Sequence, residues 1–348
     1  MEQQFEHLVS RYRSGEWTAR SNSLKAVVEP PAPGDIQRLP ERGSAEYRAL
    51  EALGREAIEA GAVGALILAG GMATRFNWER PKGVYPILDG ASFLELKIRW
   101  IREQSPTLPI FIMTSFHTHE AIAEHLEAHS YFGSDPSRIH LFRQYRFPRL
   151  CPDGTFFRSA DGTEDHAAPG HGDFVAALNE TGLLQRFMAE GGRYLLFSNV
   201  DNLGASIDPA IIGCHIQANR PMTVEVAAKL PGDKGGAPAR VNGRMQLVEG
   251  FAFPADFNQD LIPVFNTATY VFTAEALAQA IDLPWYVVEK KVHGAPVIQF
   301  EHLAGDLTCS LEALFLEIER DERFIPVKSQ DEVPAAQELI RRKRAVLA

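Results

Sequence analysis

From Val63 to Ala69 the chain reads VGALILA, a continuous apolar run that breaks at once into Gly70 and Gly71. A run that is apolar at every position and ends in glycines has the pattern of a strand buried on both faces and leading into a loop. Such a strand needs helices above and below it, so the rest of the chain must supply a layered α/β arrangement. It does. Ser92 and Glu95 have capping-box spacing and open a helix to about Gln104. Pro109 to Thr114 reads as the next strand, Thr118 to His129 as a helix and Ile139 to Phe142 as a strand. Tyr194 to Ser198 and Met222 to Ala228 read as further strands on either side of a helix from Pro209 to Asn219. Strand and helix alternate, which predicts an α/β fold with a mainly parallel sheet flanked by helices.

Two places interrupt the alternation. Asn242-Gly243 stands between two strand-like runs within Ala239 to Val248, the strongest short-range hairpin signal, and predicts a small antiparallel β insertion. His293-Gly294 marks a second hairpin between Trp285 and Phe300. Ahead of the first strand, residues 1 to about 43 are polar and irregular with four prolines (Pro30, Pro31, Pro33 and Pro40), and read as an arm. A helix runs from Ala45 to Ala60, with Gly61 at its C-cap. The last helix, Pro334 to Leu347, has a basic end (Arg341, Arg342, Lys343, Arg344) that suits the helix dipole and reads as solvated surface. The expected parts are therefore an N-terminal arm and helix, 1–60, a main α/β domain, 61–330, and a C-terminal helix, 331–348.

Composition removes several classes. With 35 Lys and Arg against 45 Asp and Glu, the net charge of −10 works against a general nucleic-acid or anionic-membrane surface. Cys151, Cys214 and Cys309 lie far apart, with neither disulfide nor zinc spacing, and read as inert thiols in a reducing cytosol. The first residues carry no basic segment leading into an apolar one, and no apolar run is long enough to cross a bilayer. The reading is a cytoplasmic protein with no membrane or nucleic-acid partner. His125 and His129 share a helix face without a third ligand and carry no metal site. Phe251, Phe253 and Phe257 read as core or lid packing rather than a base-stacking platform.

The chemistry begins at LAGGMATRFNWERPKG, from Leu68 to Gly83. Glycines leaving the carboxyl end of a buried strand let backbone N–H groups approach phosphate oxygens or a base edge. Alone, the glycine pair is equally a tight strand-to-helix turn; Arg75 and Lys82, two cations close behind it, suit a polyphosphate. The loop is neither a Walker A motif nor a dinucleotide GxGxxG.

This segment resembles the loop LxGGxGTRxxxxxPKG of the UDP-sugar pyrophosphorylases, the UTP:glucose-1-phosphate uridylyltransferase family and its N-acetylhexosamine relatives. Four further segments match in the family's order: Gln144 to Leu150, Pro169 to Asp173, Ser198 to Gly204 and Arg323 to Lys328. Lys234 to Gly236, Leu247 to Glu249 and Phe265 to Thr267 are weaker echoes. The match runs from about Ala62 to Lys328, and the short stretch after Lys328 leaves no room for the family's usual carboxyl-terminal β-helix. Ala73 stands where the family usually has glycine, and would be strained if the loop needs positive φ there.

The resemblance implies a Rossmann-like, GT-A-like nucleotidyltransferase with a mixed sheet, making an NDP-sugar and pyrophosphate from an NTP and a sugar-1-phosphate with Mg²⁺. UTP and glucose-1-phosphate are the first pair to expect. By resemblance Leu68, Ala69, Gly70, Gly71, Thr74, Gln144 and Gly170 lie along the nucleotide, with Gln144 reading uracil and Gly170 against the base. His171 and Asn199 face the sugar or its phosphate, while Glu249, Asn266 and Thr267 are candidates for its hydroxyls or for structural roles. Transfer by in-line attack on the α-phosphorus needs positioning and charge neutralisation, with no side-chain nucleophile. Arg75 and Lys82 can hold the triphosphate, and Asp201, at the end of a buried strand, supplies a hard oxygen ligand for Mg²⁺. Asp201 in an Asx turn is the alternative. Lys328 can neutralise the sugar phosphate from the far side. Another NTP (CTP or GTP) with another phosphorylated metabolite keeps the fold and changes the substrate. A non-catalytic nucleotide-sugar sensor would not need Arg75, Lys82, Asp201 and Lys328 together.

Overall fold

A computed structural model describes residues 2–347 except Lys234, with the side chains of residues 344–347 undescribed. Its principal strands are β1 (Ile36–Arg38), β2 (Val63–Leu68), β3 (Ile110–Thr114), β4 (Ile139–Arg143), β5 (Tyr194–Asn199), β6 (Met222–Ala228), β7 (Ala237–Val241), β8 (Arg244–Val248), β9 (Val264–Thr273), β10 (Tyr286–Val292), β11 (Ala295–Glu301) and β12 (Ala313–Ile318). The principal helices are α1 (Glu2–Arg13), α2 (Ala45–Glu59), α3 (Phe93–Gln104), α4 (His119–Ala128), α5 (Phe174–Glu180), α6 (Leu183–Ala189), α7 (Pro209–Ala218) and α8 (Val333–Leu347).

Eight strands form one sheet in the order β1-β12-β6-β9-β5-β2-β3-β4. Only β9 runs antiparallel to its neighbours β5 and β6; the other pairs are parallel. Every residue of β2 is buried, and its alternation divides them between two cores. Ala65 and Ile67 pack with Leu50, Ile58, Phe93, Ile98, Ile122 and Ile211, from α2, α3, α4 and α7. Leu66 and Leu68 pack on the other face with Phe174, Phe187, Tyr270 and Phe272. Each face thus removes a contiguous apolar surface from water, the dominant favourable term in folding.

The capping box opens α3, with Ser92 Oγ accepting from the N–H of Glu95. Both hairpins form, β7–β8 and β10–β11, with positive φ at Asn242 and Gly243 and at His293 and Gly294. Residues 2–43 depart from the expected irregular arm. Phe5, Leu8 and Val9 of α1 are buried with Trp17 against Phe147, Val287, Ile298 and Phe300, and β1 is an edge strand of the main sheet. Phe5, Leu8, Val9 and Tyr12 carry the helical spacing, which the surrounding polar residues and prolines mask. Among the described residues no helix is long and apolar enough to cross a membrane.

Candidate functional site

Chain order fixes where this sheet opens. From β2 the chain moves outward to β3 and β4, then returns to the other side of β2 as β5. The carboxyl ends of β2 and β5 therefore flank a topological switch point, where open α/β sheets bind ligands. A cavity of about 710 Å³ lies there, lined by Leu68 at the end of β2 and Gly70, Gly71, Met72 and Thr74 after it, by Asn199 at the end of β5 and Asp201 just beyond, and by Lys82. Gln144, just beyond β4, closes it together with Gly170 and His171.

Local physics explains the residue types. A Cβ on Gly70 would collide with the Gln144 carboxamide, so the glycine admits that side chain against the loop. Gly170 has φ +87°, and a Cβ there would strike the backbone of His302. That residue zips the loop down: its N–H donates to Pro169 O at 2.9 Å, and its carbonyl accepts from the N–H of Gly172 at 2.9 Å. The Ala304 N–H donates to His171 Nδ1 at 3.0 Å, which leaves the ring proton on Nε2. Burial pushes the His171 pKa down to about 4, so at neutral pH it is an uncharged donor lining the cavity.

Lys82 and Asp201 meet directly, Nζ to Oδ2 at 2.5 Å, with side chains 13% and 23% exposed. The ammonium also stands 5.3 Å from the centre of the Phe76 ring. Behind Asp201, its carbonyl accepts from the N–H of Val327 at 3.2 Å, which brings Lys328 to the same edge with its side chain exposed. Burial opposes ionisation of Asp233 nearby, but hydrogen bonds from Arg320, with the charges of Arg320 and Lys328, hold its carboxyl below the ordinary value. Asp233 lines a second cavity of about 460 Å³ with Lys229, Glu249 and Phe251. Burial there raises the Glu249 pKa to about 6.

Some expected residues stand elsewhere. Ala69 is fully buried in the core under the sheet and lines neither cavity. Arg75 is exposed on the turn beyond the cavity. Thr267 is buried and donates to Glu225 O at 2.7 Å, while Asn266 donates to the Tyr270 hydroxyl at 2.8 Å and accepts from the Ala268 N–H at 3.0 Å. A bulge opposite Glu225 and Val226, with Ala268 at φ +53°, accompanies these bonds, and neither residue lines either of these two cavities. The echo at Lys234 lies outside the described residues. His125 bonds to Ser92 Oγ at 2.9 Å.

Ala73 is unstrained, at φ −90° and ψ 37°, with its methyl 1% exposed in the core. Ala73→Gly therefore relieves nothing. It should cost about 1–2 kcal/mol, from a lost buried methyl and added backbone freedom, and leave nucleotide affinity unchanged. Denaturant midpoints and titration calorimetry check this; tighter binding would contradict it.

Four polar cavity residues carry no role legible in the sequence: Arg149, Lys290, Gln299 and Glu301. Arg149 Nε donates to Gln299 Oε1 at 3.1 Å and its guanidinium pairs with Asp165; Lys290 Nζ meets Glu301 Oε1 at 2.6 Å. Arg149 lies within the matched segment Gln144 to Leu150, but nothing local shows that the β10–β11 hairpin folds onto the site.

Known proteins share this architecture. The family model for UTP–glucose-1-phosphate uridylyltransferase matches residues 3–342. The chain is 28% identical to the UTP–glucose-1-phosphate uridylyltransferase of Hordeum vulgare over 358 residues, covering 94% of this chain and 71% of that protein. It is 30% identical over 288 residues to UTP–glucose-1-phosphate uridylyltransferase 2 of Dictyostelium discoideum, 77% and 57% of the two chains. In fold it is similar to the UDP-N-acetylglucosamine pyrophosphorylase of Trypanosoma brucei solved with an inhibitor (TM-score 0.78, 24% identity, 91% of this chain and 72% of that one). It is likewise similar to a variant UDP-glucose pyrophosphorylase of Leishmania major in complex with UDP-glucose (TM-score 0.73, 22% identity, 91% and 72%).

Proposed function

This chain belongs to the UTP–glucose-1-phosphate uridylyltransferase family, and from that premise we propose that it converts UTP and glucose-1-phosphate to UDP-glucose and pyrophosphate in the cavity between β2 and β5. The observation that carries the reading is the meeting of Lys82 and Asp201 at the switch point, beside a glycine loop that leaves its backbone open. We assign the catalytic region to 61–330, with 1–60 and 331–348 flanking it, and the enzyme to the cytoplasm, where the three unpaired thiols are at home.

A divalent cation fits the residues present. Asp201 offers a hard oxygen at the cavity wall, and a cationic ammonium already stands against it. Among the described residues no group of three or more His, Cys, Asp or Glu forms a metal cage. The single Asp201 carboxylate at the cavity wall is of the kind that holds Mg²⁺, which takes one or two carboxylates plus substrate phosphates. When bound, Mg²⁺ neutralises charge on the phosphates in transit.

The chain's own groups do the rest. Gly70 and Gly71 present backbone to the nucleotide, and Gln144, seated against Gly70, and Gly170 bound the base. Lys82 neutralises phosphate charge, with Arg75 reaching from the exposed turn. His171 donates from Nε2, Asn199 holds the sugar, and Lys328 meets the sugar phosphate beside Asp201, with Glu249 as the hydroxyl partner from the second cavity. The sugar-phosphate oxygen attacks the α-phosphorus in line and pyrophosphate leaves, so alignment and charge neutralisation carry the rate.

The test is a pyrophosphate-release screen of four NTPs against a panel of sugar-1-phosphates. UTP with glucose-1-phosphate should exceed every other pair, and a different best pair would overturn the assignment. Base reading makes a sharper prediction. A fixed carboxamide that pairs with uracil mismatches cytosine, and a buried mismatch costs roughly 1–3 kcal/mol per unpaired group. UTP should therefore be favoured over CTP at least about tenfold in kcat/KM. Gln144→Ala should shrink that ratio more than it lowers turnover; an unchanged ratio would remove Gln144 from base recognition.

A further inference from the structure

We propose, resting on the reading above, that Lys97 is a positioning residue for the reaction: from α3 it ties the end of β5 to the loop behind Asp201, and so sets where Asn199 and Asp201 stand in the cavity. Lys97 is 2% exposed, among the buried Leu94, Leu96, Ile98 and Ile101 of the same helix. Its Nζ donates to Ser198 Oγ at 2.9 Å and to Ala205 O at 2.7 Å. Ser198 immediately precedes Asn199, and Ala205 closes the turn after Asp201. One amine therefore grips both ends of the short span that carries the two groups.

A buried amine in an apolar helix face is costly, and an apolar side chain of the same length would pack there without that cost. The two bonds offset that cost, and they fix the span between Ser198 and Ala205. Burial, with the charges of Lys343 and Arg323, lowers the Lys97 pKa to about 7 against Asp201 and Glu225. Both protonation states keep two N–H donors, so the grip survives on either side of neutrality. The loop has other supports, within itself (the Gly204 N–H donates to Asn202 Oδ1 at 3.1 Å) and to its surroundings. Lys343, expected on the solvated end of the last helix, is instead turned inward and donates to Gly204 O at 2.7 Å; Arg323 donates to Ser206 O at 2.7 Å, and Asn202 Oδ1 accepts from the Ile325 N–H at 2.9 Å. Without Lys97 the Ala205 carbonyl loses a buried partner and the span loses the tie that joins Ser198 to Ala205. A displacement of about 1 Å in reacting groups costs on the order of 10² in rate.

The test compares Lys97→Met, Ser198→Ala and the double variant with the wild type. Lys97→Met should fold, by circular dichroism, and lose roughly 10- to 100-fold in kcat with KM for UTP nearly unchanged. UTP affinity by calorimetry in EDTA should also hold, because Gln144, Gly70 and Gly170 sit on other elements. Ser198→Ala should lose several-fold in kcat in the same direction, and the double variant should fall no lower than Lys97→Met, as expected for one shared contact. A folded Lys97→Met with wild-type kcat overturns the proposal, as does a loss of UTP affinity equal to the loss in kcat. If Lys97→Met does not fold, wild-type kcat in Ser198→Ala overturns it. A wild-type chain without turnover strikes down the underlying reading as well, which is distinct from an active wild type beside equally active variants.

Discussion

Asp201→Ala should lower Mg²⁺-dependent turnover roughly 10³-fold or more while the circular dichroism spectrum stays that of the wild type. Two facts set the size. Its carboxylate is a hard oxygen donor at the switch-point cavity, and metal charge stabilisation in transfer reactions is worth several kcal/mol, at 1.36 kcal/mol per factor of ten. The fold should survive because the side chain is half-buried and pairs with Lys82 across the cavity wall, while the backbone of Asp201 keeps its bond to Val327. Unchanged metal dependence in the variant would end the assignment of Asp201 as a ligand.

Lys82→Ala should lower kcat/KM by roughly 10²–10³-fold, the scale of losing one preorganised electrostatic contact to charge in transit. Its effect on metal dependence should differ from that of Asp201→Ala. A divalent cation held by Asp201 would meet the carboxylate that the ammonium already contacts, so removing the ammonium would free Asp201 for it. The concentration of Mg²⁺ at half-saturation should then stay the same or fall. A rise in that concentration would contradict the direct competition implied by the 2.5 Å pair, and near-normal turnover would remove Lys82 from the site.

The parts of this site that periodicity makes legible are those on strand ends. Gly70 and Asp201 each sit just beyond the carboxyl end of an apolar run, and parallel strands bring such ends to one edge whatever lies between them, whereas Gln144 and Asn199 are legible only through the resemblance to the family. Lys290, Gln299 and Glu301 reach the cavity because the β10–β11 hairpin packs on α1 through Val287, Ile298 and Phe300, a long-range contact without a local signal. Asn266 and Thr267 sit in a strand whose bulge at Ala268 accompanies bonds to the protein itself, and a bulge leaves no trace in hydrophobic alternation. Lys97 reads as one polar position on an amphipathic helix; only its burial among apolar neighbours shows otherwise. Ala73 departs from the family's loop, yet at negative φ the departure costs no strain.

The most direct measurement is product formation by the wild-type chain from UTP and glucose-1-phosphate, monitored as UDP-glucose and pyrophosphate together, with Mg²⁺ and again in EDTA. The proposed function predicts equal amounts of both products with Mg²⁺ and loss of both in EDTA. UTP binding by calorimetry without either product in the presence of Mg²⁺ would contradict it, and would make this cavity a nucleotide-binding site without transfer.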